Sequence, residues 1–175
     1  MPSPFAKAIR VDAAAKPGCT LARMHRLLAS WFGSGLIMHR MRGSHLGSGT
    51  IGSLFALPVA WLIGAWLGWR GQLAAAIVVG AVSVWAAGRF VESEGDAGWI
   101  VIDEAAGTFL ALVGLSAWPE VLAAWIVFRL ADIKKGLAPG VAAAERLPGG
   151  LGVTADDLIA GLYGLVVGHL VRILL

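Results

Sequence analysis

The sequence predicts an all-α integral membrane protein with about five transmembrane helices and an N-terminal interfacial or re-entrant helix. Hydrophobic residues make up 58% of the 175 residues and charged residues only 14%, and the mean hydropathy is +0.77. Several apolar runs approach the roughly 20 residues that an α-helix needs to cross a bilayer. Lys and Arg flank these runs without an aromatic-interleaved basic segment, which favours membrane orientation over nucleic-acid binding. The single cysteine, Cys19, excludes an intrachain disulfide framework and a cysteine-based metal site.

The N-terminal part differs in composition from the rest of the chain. Residues 1–20 contain several prolines and no apolar h-region, which predicts a flexible segment and no cleavable signal peptide. Residues 21–175 are expected to form a single membrane-embedded domain. Within them, the apolar stretch from Leu27 to Met38 is too short to cross a bilayer, so 21–38 is predicted to lie at the interface as a helix or to re-enter the membrane.

Five apolar segments follow, and each is predicted to form a helix. The first carries Pro58 near its middle, so a kink is expected there. A tight turn at 70–72, polar or Gly/Pro-rich loops at 90–99 and 134–153, and a short turn at 118–119 separate the segments. The fourth helix is short for a span. The predicted ranges are 51–69, 73–88, 100–116, 120–133 and 157–175.

The distribution of basic residues predicts the orientation of this five-crossing arrangement. With a cytoplasmic N-terminus, 12 of the 14 Lys and Arg residues fall on the cytoplasmic side, and only Arg70 and Arg172 fall outside. Such an excess follows the positive-inside rule. We therefore expect a multi-pass protein with its N-terminus inside and its C-terminus outside.

Acidic residues gather at the cytoplasmic ends of the predicted helices. Asp103 and Glu104 are the first charged residues of an apolar helix. A charge at the bilayer centre costs at least about 2.5–3.5 kcal/mol, so carboxylates at the start of such a helix need partners, water or a metal. An oxygen-rich cluster suits a hard divalent cation such as Mg²⁺. The Gly-rich turn 43–53 and nearby basic side chains suit a phosphate. The acids expected at this depth are Asp96, Asp103, Glu104, Asp132, Asp156 and Asp157.

Simpler structural interpretations exist for several of these residues. Asp157 follows Thr154 at the spacing of a helix-capping box. Asp132 is spaced to pair with Arg129 on one helix face, and Asp96 lies in a polar loop where solvated charge is the usual outcome. Gly164 and Gly168 are typical of a helix-packing face. Asp103 and Glu104 have the weakest structural explanation.

Four motifs follow one another along the chain: SGTIGSLFALP (48–58), D-x-x-x-IVIDE-x-x-G (96–107), FRLADIKK (128–135) and ERLPGGLGVTADDLIAGLYG (145–164). In this order they resemble the motifs of the phosphatidylglycerophosphatase A family, and the resemblance covers about 25–175. The resemblance implies a bacterial inner-membrane enzyme whose substrate partner is a lipid phosphate. The implied reaction is Mg²⁺-dependent removal of the terminal phosphate of phosphatidylglycerophosphate, which gives phosphatidylglycerol for phospholipid biosynthesis.

The resemblance also implies site residues by position. Asp103 and Glu104 match the family's acidic pair, Asp96 its upstream acid, and Asp132 and Lys135 its acid and lysine. Asp156 and Asp157 match its paired aspartates, and Gly49, Thr50, Gly52 and Ser53 match its Gly-Thr turn. The chain departs from the family pattern at Ser48, Ala131, Gly136 and Ala138, and these departures leave the acids and the lysine in place.

We therefore predict that Asp103 and Glu104, with some of Asp132, Asp156 and Asp157, hold one or two Mg²⁺ ions. The Gly49–Ser53 turn, Lys135 and Arg129 are expected to bind phosphoryl oxygens. Both an activated water and a carboxylate nucleophile stay open as attacking groups, and the oligomeric state is not predicted. The alternatives are a phosphatase for another lipid or prenyl phosphate, an ion-coupled transporter, a CDP-alcohol phosphotransferase and a non-catalytic membrane adaptor.

Overall fold

The computed structural model describes the backbone of residues 17–37, 47–94 and 97–175, and every regular element in these ranges is helical. The all-α class is therefore confirmed for the described chain. Two short 3₁₀ turns, Ser34–Leu36 and Lys135–Leu137, join larger elements. The helices are α1 (Pro17–Ala29), α2 (Ser48–Glu94), α3 (Ile102–Ala111), α4 (Trp118–Ile133), α5 (Val141–Ala144) and α6 (Gly150–Leu174).

Helix α2 is a helical hairpin whose chain reverses at Gly68. Gly68 has φ 65° and ψ −172°, a conformation that glycine adopts without a Cβ clash. The side-chain amide of Gln72 donates to the carbonyl of Ala60 at 3.3 Å. In a straight helix these residues would be about 18 Å apart along the axis, so the two arms must lie side by side. The sequence predicted this reversal at 70–72, two residues late.

The prediction of about five transmembrane helices is wrong. Among the described residues, only the stretches Ser48–Val91 and Gly150–Leu174 are long and apolar enough to cross a membrane. Helix α3 has 10 residues and α4 has 16, which gives lengths of about 15 Å and 24 Å against a hydrocarbon core of about 30 Å. Apolar composition misled the prediction at α3 because that helix is apolar for packing within the protein. The five-crossing topology is withdrawn with it.

Helix α3 lies at the centre of the fold, between the α2 hairpin and α6. Its glycine allows the closest approach to α6, since a Cβ on Gly107 would stand 2.8 Å from the carbonyl oxygen of Asp157. On α6, a Cβ on Gly164 would stand 2.5 Å from the carbonyl of Ala124 in α4. The helix-packing interpretation of Gly164 and Gly168 is therefore confirmed, and α6 contacts both α3 and α4 through small residues.

The segment before α3 ties α1 to the rest of the protein. Val101 donates its backbone N–H to the carbonyl of Ala29 at 2.9 Å. On α1, the buried His25 ring packs on Trp85 of α2 with ring centroids 4.0 Å apart and the ring planes tilted by 38°. Part of the predicted interfacial helix 21–38 is thus helical through Ala29. Residues 1–16, most of the predicted flexible segment, lie outside the described residues, and the helix begins at Pro17.

The opposite end of the fold is fixed by the chain's one glutamine. Gln72 accepts the backbone N–H of Gly114 at 2.7 Å, just after α3 ends. Arg172 near the end of α6 donates to the carbonyl of Gly114 at 2.7 Å. These bonds satisfy backbone groups that follow the end of α3 and would otherwise lack partners. The linker between α3 and α4 is therefore held by both the α2 hairpin and α6.

Candidate active site

One cavity of about 290 Å³ contains most of the acids that the sequence singled out. Asp103 and Glu104 enter it from the first turn of α3, and Asp132 enters from the last turn of α4. Asp156 and Asp157 enter from the second turn of α6. Its other lining residues are Ser48, Val91, Gly98, Ile100, Lys135, Glu145, Leu147, Gly149 and Val153.

Three aspartates from two helices form the tightest group. One carboxylate oxygen from each of Asp132, Asp156 and Asp157 lies within 4.8 Å of the others. Asp157 Oδ1 is buried and accepts no hydrogen bond from any described group, and the same is true of Glu104 Oε2. Buried carboxylate oxygens without a partner are costly, and an all-oxygen donor set matches hard cations. The residues present therefore fit a Mg²⁺ ion.

The capping interpretation of Asp157 is wrong. Helix α6 begins at Gly150 with Gly149 before it, so Thr154 and Asp157 both lie inside the helix. The Thr154 hydroxyl instead lies 2.7 Å from the hydroxyl of Ser83 on α2. The helix α6 starts at Gly150, seven residues before its predicted first residue, 157. Its paired aspartates therefore lie against α3 and α4 rather than at a solvated helix end.

Two cations compensate part of this negative charge. Arg129 Nη1 lies 2.8 Å from Asp132 Oδ2, at the i, i+3 spacing that the sequence suggested. Lys135 Nζ lies 2.7 Å from Asp156 Oδ2 and 2.8 Å from Glu145 Oε1. Partial burial lowers the pKa of Lys135, but its two carboxylate partners outweigh burial and bring the pKa above its ordinary value. Six carboxyl groups thus face two cations in and beside the cavity.

Glu104 is held where the first turn of α2 approaches α3. A Cβ on Gly49 would stand 1.9 Å from Glu104 Oε1 and 3.1 Å from Arg129 Nη2, so any side chain at this position would displace the ends of these two side chains. Burial raises the pKa of Glu104, while the neighbouring Asp103 and Arg129 oppose that rise. Asp103 Oδ1 accepts the backbone N–H of Glu104 at 3.0 Å.

The predicted phosphate-binding turn divides into two parts in the structure. Gly49 lies against Glu104 and Arg129, as described above, whereas Gly52 packs on Val101. The Ser53 hydroxyl is fully buried, donates to the carbonyl of Thr50 at 3.0 Å and accepts the indole N–H of Trp125 at 3.3 Å. Thr50, Gly52 and Ser53 are not among the cavity-lining residues. Phosphate binding by this turn stays a prediction.

Sequence reasoning missed two residues of the cavity and named one that lies outside the described chain. Glu145 lies within the motif ERLPGG, and its pairing with Lys135 was not anticipated. Ser48 was noted only as a departure from a proline, yet its hydroxyl donates to the carbonyl of Gly98 at the cavity wall. Asp96 lies outside the described residues, so its predicted metal role stays a prediction.

Comparison with known proteins gives a consistent family. The model of the family "Phosphatidylglycerophosphatase A" matches residues 27–172. The chain is 31% identical to phosphatidylglycerophosphatase A of Escherichia coli, over 85% of this chain and 83% of that protein. It is 32% identical to the Haemophilus influenzae protein of the same name, over 81% and 84% of the two chains.

A third relative carries a different name. The chain is 33% identical to a Bacteroides thetaiotaomicron protein with the provisional name phosphatidylinositol-3-phosphatase, over 80% of this chain and 88% of that protein. No solved structure matches this chain. The names of all three relatives describe removal of a phosphate from a lipid, but they name different lipids.

Proposed function

Because this chain belongs to the phosphatidylglycerophosphatase A family and is a phosphoric monoester hydrolase, we propose that it removes the terminal phosphate of phosphatidylglycerophosphate. The products are phosphatidylglycerol and inorganic phosphate, in phospholipid synthesis. The observation that carries this proposal is the convergence of Asp132, Asp156 and Asp157 in a cavity that also holds Lys135. One Asp157 oxygen there accepts no hydrogen bond from the described groups.

The proposed cofactor is Mg²⁺, held by Asp132, Asp156 and Asp157, with Glu104 beside them. Support comes from the all-carboxylate donor set and from the two buried oxygens, on Asp157 and Glu104, that accept no hydrogen bond from the described groups. Magnesium is usually bound by one or two carboxylates together with waters and phosphate oxygens. Such an ion supplies neutralisation of phosphate charge and activation of the attacking group.

The chain's own residues have distinct proposed tasks. Lys135 brings positive charge to the wall of the cavity, and Arg129 brings it to the lining residue Asp132. Both cations are proposed to stabilise the charge that spreads over phosphoryl oxygens in the transition state. Because Gly49 has no side chain, Glu104 and Arg129 can both lie against the first turn of α2. Asp103 orients the first turn of α3 through the Glu104 N–H. Hydrolysis breaks the ester P–O bond, and water supplies the oxygen of the released phosphate in either of the two open routes.

The protein is membrane-associated, as its relatives and its two apolar helical stretches indicate. We propose further that it crosses the bacterial inner membrane more than once, with its N-terminus and cavity on the cytoplasmic side. Support comes from the basic residues Arg129, Lys134, Lys135 and Arg146, which lie at the cavity end of the helices. Arg172 lies at the other end of α6. This asymmetry follows the positive-inside rule.

The substrate is tested by phosphate release in detergent micelles from phosphatidylglycerophosphate and, in parallel, from phosphatidylinositol 3-phosphate. We expect release from phosphatidylglycerophosphate by the wild type and loss of release in Asp132→Asn, with the fold checked by thermal unfolding. Release from the phosphoinositide alone would overturn the substrate assignment and favour the alternative of another lipid phosphate, which the name of the Bacteroides relative supports.

A further inference from the structure

Arg26 lies beside the segment 98–100, which contributes two residues to the wall of the acidic cavity, without lining the cavity itself. Its guanidinium carbon is 5.1 Å from the centre of the Trp99 ring. Trp99 is buried, and its two chain neighbours, Gly98 and Ile100, both line the cavity. Arg26 is therefore placed next to the wall through which Gly98 and Ile100 border the acids.

The position of Arg26 is fixed by the helix that carries it. In the same turn of α1, the carbonyl of Ala29 accepts the Val101 N–H, and the buried His25 ring packs at a tilt on Trp85. The Trp99 ring in turn packs edge-on against Phe90, with centroids 4.9 Å apart. An arginine stacked on an aromatic face keeps its N–H groups available at the edge of the guanidinium plane.

Arg26 differs from Arg129 and Lys135 in its ion pairing. Arg129 and Lys135 are paired with acids of the cavity. Arg26 is exposed and takes part in none of the ion pairs among the described side chains. A stacked, exposed arginine suits bidentate recognition of a phosphate oxygen pair.

We propose that Arg26, held on Trp99, binds the phosphodiester group of the lipid substrate. The inference rests on the proposed function, because phosphatidylglycerophosphate carries two phosphates. Its terminal monoester belongs among the acids and cations of the cavity. The diester is joined to the monoester through glycerol and to the diacylglycerol on its other side, so in this proposal it lies between the cavity and the acyl chains, next to the wall formed by Gly98 and Ile100. Arg26 is thus a substrate-specificity residue for lipids that carry a diester phosphate.

The test compares Arg26→Gln with the matched control Arg23→Gln, which removes the same charge from an exposed position three residues earlier on α1. Phosphate release from phosphatidylglycerophosphate is measured in uncharged detergent micelles, so that no bulk anionic lipid competes. Inhibition is measured with two probes, short-chain phosphatidylglycerol, which has only the diester, and inorganic phosphate, which has none. Arg26→Lys is included, since it keeps the charge and loses the planar bidentate group.

We expect Arg26→Gln to raise both KM and the inhibition constant of phosphatidylglycerol about tenfold, with kcat little changed. This change corresponds to the loss of one charge-assisted hydrogen bond to the diester. Inhibition by inorganic phosphate should stay unchanged, Arg26→Lys should lie between, and Arg23→Gln should match the wild type. An equal effect of Arg23→Gln would assign the change to general surface charge and overturn the proposal. If the wild type is active and Arg26→Gln has the same KM and inhibition constant as the wild type, this inference alone is overturned. If the wild type is inactive, the proposed function is overturned as well.

Discussion

Gly49→Ala separates the geometry of the site from the stability of the fold. The added Cβ would stand 1.9 Å from Glu104 Oε1 and 2.7 Å from Glu104 Cδ. Ordinary contacts of a Cβ begin at 3.4 Å, so the carboxylate must move by about 1.5 Å. Displacing a catalytic group by about 1 Å can cost 10²-fold in rate. We therefore expect kcat to fall about 100-fold.

Stability should change little in the same variant. The clashing atoms belong to the far end of a flexible side chain, which can swing away at small cost. The gain in helix propensity from Gly to Ala, about 0.5–1 kcal/mol, acts in the opposite direction. The melting temperature in detergent should therefore stay close to that of the wild type while phosphate release collapses.

Two further variants complete the experiment. Gly80→Ala is the matched control on the other arm of α2, because its Cβ would touch only Leu158 at 3.9 Å, and it should keep full activity. Glu104→Asp in the Gly49→Ala background shortens the displaced side chain by one methylene, so the two losses should be clearly less than additive. Full activity of Gly49→Ala would refute the placement of Glu104 beside this turn.

Three other predictions concern one ion pair of the site and two packing contacts elsewhere in the fold. Lys135→Met should lower kcat/KM about 10²-fold in the phosphate-release assay, because it removes a cation from the cavity. Glu145→Gln should change kcat/KM less than about threefold, because the Glu145 side chain is 51% exposed. Equal effects of the two variants would contradict a role for Lys135 beyond its ion pair with Glu145. Gln72→Leu should lower the free energy of unfolding by about 1–3 kcal/mol, because it leaves buried backbone groups unpaired. An unchanged melting temperature would contradict that. Gly164→Ala should destabilise by about 1–3 kcal/mol through overpacking, measured by thermal unfolding against Gly80→Ala.

The acidic cluster was predictable because each of its members lies in a short motif near one end of an apolar helix. Asp103, Glu104, Asp132, Asp156 and Asp157 were all named from sequence, and the structure brings them into one cavity. Their catalytic and metal-binding roles stay predictions. From the sequence, these acids were brought together through the five-crossing topology, which is wrong. In the structure the acids of α3, α4 and α6 meet through helix packing.

The number of spans was not predictable from apolar length alone. Helix α3 is apolar because Ala105, Phe109 and Leu112 around it are buried inside the protein, and a core helix has the same composition as a membrane-facing one. The reversal of α2 depends on one backbone conformation at Gly68, which composition does not distinguish from other glycines in the same run.

Long-range pairs were also beyond the sequence. Glu145 meets Lys135 across a turn, and Arg26 meets Trp99 from a helix 73 residues earlier in the numbering. No local spacing rule connects such residues, because helical neighbours are recognised only at three or four positions apart. By contrast, the pair of Arg129 and Asp132 follows that rule and was anticipated.

The central claim is that the three clustered aspartates form a magnesium site for lipid phosphate hydrolysis. The most direct measurement is phosphate release from phosphatidylglycerophosphate in micelles, with Mg²⁺ titrated after removal of metal by a chelator, for the wild type and Asp157→Asn. The account predicts release that is abolished by chelation, restored by Mg²⁺ and lost in the folded variant. Release that persists in the chelator, or an Asp157→Asn variant with wild-type activity and Mg²⁺ dependence, would contradict it.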